Sequence, residues 1–154
     1  MSVPYHLRPT NQYGAVWIAL TGGMTGKGGK TISRGDYGEA KPGDDILFSP
    51  EGSSRPGLII ISVQTEKQPL TITPVTIDPG GVMADASDRN TTLLIALNNL
   101  AITDITSSGE EENWRVGKPE KIAMQAGEVR WIKPGVHKLK NVKSTKSELI
   151  TIEW

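Results

Sequence analysis

Glycine and proline punctuate this chain so often that no long helix has room to form. Seventeen glycines and ten prolines fall among 154 residues, and the runs between them are rich in valine, isoleucine, leucine and threonine, residues that suit a pleated, half-buried surface. The fold class that follows is all-β. A chain of this length has room for one domain with its own core, without help from disulfides or a structural metal.

Charge and cysteine usage narrow the partners. Lysine plus arginine equals aspartate plus glutamate, 17 of each, so no overall field draws the chain onto nucleic acid or an anionic membrane. Neither is expected as a partner. With no cysteine there is no disulfide framework, thiolate metal site or thiol nucleophile, as fits a reducing compartment. The start, Met1-Ser-Val-Pro-Tyr-His6, lacks the basic and apolar regions of a signal peptide, and no apolar run approaches membrane-spanning length. The expectation is a soluble, cytoplasmic protein.

Strands read from the chain in order. The residues up to Tyr13 form an arm; Ala15 to Leu20, Ile46 to Ser49 and Leu58 to Val63 are apolar runs; Leu70 to Ile77 alternates, with Pro74 marking an edge or a break. Thr92 to Leu97 and Leu100 to Ile105 flank Asn98-Asn99 and read as a hairpin. Trp17, Trp114 and Trp131 are read as core. Gly26 to Thr31 combines glycines with a Lys-Thr pair but lacks the spacing of a phosphate-cradling loop, so it is a surface loop.

Two parts of the chain match in order. Trp17 to Leu20 corresponds to Leu94 to Leu97; Ala40 to Asp44 to Met124 through Glu128; Phe48-Ser-Pro50 to Ile132-Lys-Pro134; and Ile59 to Gln64 to Leu149 through Trp154. Each copy is too few strands to bury its own faces. The expectation is one domain over residues 1–154, in which a degenerate half module, residues 1–68, adds strands to a main module, residues 69–154. An unpaired edge left by the half module favours a homodimer.

The stretch from Gly127 to Asn141 carries the only histidine outside the N-terminal arm. There Gly127, Pro134, Gly135, His137 and Asn141 resemble the second motif of the cupins: Gly, five residues, Pro, any residue, Gly, two residues, His, three residues, Asn. The His137 to Asn141 spacing is the family's; the Gly-to-Pro gap is one longer and the Pro-to-His gap two shorter. Val75 to Gly81 resembles the strand and turn before the family's first motif, but Asp85-Ala-Ser-Asp88-Arg89 stands where His-x-His and Glu are required. In the first copy Gly43, Pro50 and Gly52 match, with Arg55 in place of the histidine. The resemblance implies an antiparallel jelly-roll barrel whose interior accepts small ligands.

Typical cupins hold a divalent metal with three histidines and a glutamate, and this chain has two histidines in all, His6 and His137. The expected reading is therefore a metal-free, non-catalytic module without a cofactor, binding a small molecule or serving as a homodimeric structural unit. The alternative is a metal-dependent cupin enzyme, an oxygenase, isomerase or epimerase, with a relocated site. In Val136 to Asn141 the lysines at 138 and 140 should face water, which turns His137, Leu139 and Asn141 inward. The candidate ligand-binding residues are His137, Asn141, Trp131 as an apolar wall, and Asp88; no catalytic residue is assigned, because neither a serine elbow nor a carboxylate pair is present.

Overall fold

The structure, a computed structural model, describes residues 3–52, 57–63, 70–84, 91–108 and 115–153. The chain forms two compact units, Met1–Lys67 and Gln68–Trp154. Among the described residues, every strand pairing is antiparallel and stays within its own unit. Each unit has its own sheets.

The second unit contains β8 (Thr71–Ile77), β9 (Val82–Ala84), β10 (Thr92–Ala96), β11 (Leu100–Ser108), β12 (Arg115–Val116), β13 (Glu120–Met124), β14 (Val129–Ile132), β15 (Val136–Asn141) and β16 (Ser147–Glu153). One sheet runs β14-β10-β16-β8; in the other β9 pairs β15, β15 pairs β11, and β11 pairs both β12 and β13. Consecutive strands mostly switch sheets, which is the strand order of a jelly roll. Pro74 is accommodated because β8 is the outermost strand of its sheet.

The first unit repeats this order. Its strands are β1 (Tyr5–Leu7), β2 (Ala15–Ala19), β3 (Met24–Thr25), β4 (Thr31–Ile32), β5 (Tyr37–Ala40), β6 (Ile46–Pro50) and β7 (Leu58–Ser62), in sheets β5-β2-β7 and β1-β6-β3-β4. Position for position these match β14-β10-β16 and β9-β15-β11-β13. Counterparts of β8 and of the two-residue β12 are absent among the described residues.

Backbone bonds fix the equivalences and correct the alignment read from sequence. Gly35 N and Asp36 O bond Ala19 as Gly127 N and Glu128 O bond Ala96, and Leu20 N reaches Gly57 O as Leu97 N reaches Glu148 O. Ala40-Lys-Pro-Gly43 thus stands where Ile132-Lys-Pro-Gly135 stands, and Leu58, rather than Ile59, is the counterpart of Leu149. The cause is a turn used three times. At 33–36, 41–44 and 125–128 the fourth residue's N–H bonds the first residue's carbonyl, and an acidic fourth side chain accepts from the first residue's N–H. The third residue is a glycine at φ 88, 85 or 87, as a type II turn requires.

Asn98-Asn99 is also not a hairpin turn, since β10 and β11 lie in different sheets. The asparagine side chains tie the chain to flanking loops instead: Asn98 donates to Lys146 O and accepts from Glu148 N, while Asn99 accepts from Ala126 N. These bonds carry the chain across from one sheet to the other. Gly26 and Lys30 close the exposed loop between β3 and β4, around a single turn of 3-10 helix at Lys27–Gly29.

Each unit has its own apolar cluster. In the first, Leu7, Met24, Ile32 and Phe48 meet three alanines, and Trp17 packs edge-on against Phe48 with ring centroids 5.1 Å apart. In the second, Ile77, Leu94, Leu100, Ile102, Ile122, Met124, Ile132, Leu139 and Leu149 come from both sheets and fill the space between them.

Candidate functional site at the His137 end of the second unit

The period of two in β15 places the candidate residues. Lys138 and Lys140 are exposed, whereas His137, Leu139 and Asn141 are buried, with Leu139 in the apolar cluster. The same period in β11 puts Leu100, Ile102, Asp104 and Thr106 on one side. Leu100 and Ile102 belong to the cluster, so Asp104 and Thr106 continue an inward row whose far end is polar. Thr106 lies directly across from His137 in the register, and Asp104 across from Leu139.

His137 and Asp104 are each 3% exposed. His137 Nδ1 lies 2.8 Å from Asp104 Oδ2 and 3.3 Å from Thr106 Oγ1, and its Nε2 lies 2.7 Å from the carbonyl oxygen of Lys133. A carbonyl only accepts, so Nε2 carries a proton. The 2.8 Å approach of Nδ1 to Oδ2 then requires one further proton between them. Asp104 Oδ1 is buried and has no hydrogen-bond partner among the described residues. An acceptor left in that state costs about 1–3 kcal/mol.

Asn141, fully buried, has a different job. Its Nδ2 donates to Ile77 O at 2.9 Å and Thr145 O at 2.8 Å, with Asp78 O at 3.3 Å, and its Oδ1 accepts from Lys143 N. The amide is spent on tying the end of β8 to the loop before β16. It is not free to orient a ligand alongside His137.

Trp131 does not form a wall beside His137. It is 58% exposed, because Ile132 takes the inward slot of β14 and its neighbour must point the other way. Val-Arg-Trp-Ile offers a bulky apolar residue in either phase, so the sequence alone does not choose. Trp17 is partly buried against the first unit's cluster. Asp88, with Asp85, Arg55 and Trp114, lies outside the described residues. Sequence reading missed Asp104 and Thr106, although the signal was there: an aspartate in phase with Leu100 and Ile102 is an acid aimed at a core.

The residues present do not fit the metal centre that the cupin resemblance implies. Both ring nitrogens of His137 are engaged, the Asn141 amide is saturated, and among the described residues no three His, Cys, Asp or Glu side chains come together. His6 belongs to the first unit. It is exposed beside Asp45, whose carboxyl is held at about 2 by hydrogen bonds from Arg8 and then His6.

No known family's sequence pattern matches the chain, and no curated protein matches it by sequence. Among solved structures, a recombinant oxalate oxidase in complex with glycolate is similar over 54% of this chain at 16% identity and a TM-score of 0.40. The chain spans 40% of that protein's length. A cupin domain from Bordetella pertussis Tohama I is similar over 60% of this chain and 88% of its own, at 16% identity and a TM-score of 0.41. AerE from Microcystis aeruginosa is similar over 98% of this chain and 81% of its own, at 12% identity and a TM-score of 0.56. At that identity the likeness to AerE is one of fold alone, and the strand order is that of an all-β, antiparallel jelly roll.

Proposed function

We propose that this chain is a non-catalytic, metal-free cupin-fold protein whose second unit binds a small molecule at the His137 end of its interior. The observation that supports this reading is the engagement of both His137 ring nitrogens, by Lys133 O and Asp104 Oδ2. A ring held in this way has no lone pair to offer a metal or a substrate proton, and it serves as a brace. Metal analysis of untagged protein checks it: metal is expected well below one equivalent, unchanged in His137→Ala. Stoichiometric metal lost on that substitution would support the metal-dependent enzyme instead.

The homodimer belongs to the same proposal, through β7. In the second unit β8 pairs along the length of β16, but among the described strands nothing pairs on the far side of β7. That edge reads Leu-Ile-Ile-Ile-Ser, an apolar strand that invites pairing, and a second copy's β7 running antiparallel would extend the sheet. Val63 N bonds Gly14 O, so by alternation the Ser62 N–H points away from β2. Ser62→Pro removes that donor without touching the β2 ladder. The expected result is a dimer by gel filtration that the substitution shifts to monomer; a wild-type monomer refutes it.

A further inference from the structure

The unpartnered oxygen of Asp104 bears on what the site would take. The carboxylate cannot turn freely: His137 grips Oδ2 at 2.8 Å, and the ring that grips it is anchored at its other end by Lys133 O at 2.7 Å. Oδ1 is thereby held in one orientation, buried, with its lone pairs unused. Such an oxygen accepts hydrogen bonds and offers none while the proton between Nδ1 and Oδ2 stays on that side of the carboxylate. Thr106 Oγ1 lies 3.4 Å from Oδ2 of the same carboxylate, and Ile102, two residues back on the same side of β11, belongs to the apolar cluster. Among the described residues no arginine or lysine is a hydrogen-bond or ion-pair partner of Asp104, so there an anion would meet an acceptor with no cation beside it.

We infer that this site takes a small neutral or cationic molecule bearing an O–H or N–H group, which it donates to Asp104 Oδ1, and that it rejects carboxylate anions. The inference rests on the interior-binding reading above. Asp104 is the residue that sets the ligand class. His137 is a positioning residue that holds the acceptor in place.

The test uses the full chain, labelled with nitrogen-15, and three probes: glycerol, methylammonium chloride and sodium oxalate at equal ionic strength. Glycerol and methylammonium are expected to shift the amide signals of Asp104, Thr106 and His137 in a saturable way, and oxalate to leave them unmoved. Asp104→Leu should abolish the response and lower the urea midpoint, since it strands the buried Nδ1 of His137. Asp104→Asn, which can give its NH2 to His137 and keep an uncharged acceptor, should retain glycerol and weaken methylammonium about tenfold. His137→Asn, which places a donor near Nδ1, should keep the response that His137→Leu loses.

Saturable oxalate binding equal to or tighter than glycerol would overturn the ligand class while leaving interior binding intact. If none of the three probes moves these signals, both readings fall. A response to glycerol that survives in Asp104→Leu would remove Asp104 from the site.

Discussion

Asn141→Ala is expected to lower the stability of the second unit by about 4 kcal/mol, among the largest single-residue effects in that unit. The reason is what the substitution leaves behind. Ile77 O and Thr145 O lose their donor and Lys143 N loses its acceptor, at a site that is fully buried. Each stranded group costs about 1–3 kcal/mol unless water reaches it. Asn141→Asp should do little better, because a carboxylate cannot donate to two carbonyls. Lys140→Ala next door, on the exposed face, should stay within about 0.5 kcal/mol of wild type. Urea unfolding of the three variants checks the ranking; an alanine variant as stable as Lys140→Ala would mean the amide ties nothing together.

That prediction shows which parts of the site were legible. The two lysines flanking Leu139 fix the phase of β15, so the inward turn of His137 and Asn141 follows from spacing. What each does once inside does not follow, because the Asn141 partners Ile77 and Thr145 are carbonyls, and carbonyls carry no sequence signal. Asp104 was legible in principle from the inward row of β11, but it lies between Thr103 and Ile105 in a run that reads simply as a strand. Trp131 was not legible, since β14 has an apolar residue in each phase.

The duplication was legible as an order of pieces and not as a register. Three identical turns, with glycine third and an acid fourth, let one copy slide against the other by a whole strand, and only the bonds to Ala19 and Ala96 break the tie. A one-residue slip, as at Leu58 and Ile59, exchanges the two faces of a strand. The first unit has two sheets and an apolar cluster of its own.

That cluster is small enough to hang on one side chain. Phe48 is the chain's single phenylalanine, wholly buried, with the Trp17 ring against it at an interplanar angle of 70°. Its neighbours Ala15, Ala19 and Ala40 have no atoms with which to fill a space left beside them. Truncating a buried phenylalanine to alanine costs about 3–5 kcal/mol, the upper end applying where surroundings cannot collapse. Units of this size bury only a modest core and stand close to their stability limit. Phe48→Ala is therefore expected to strip hydrogen-exchange protection from β2, β5 and β6, while Phe48→Leu, which keeps most of the volume, should retain most of it. Protection in β2 that survives the alanine substitution would mean the first unit's sheets are held by something other than the Trp17–Phe48 contact.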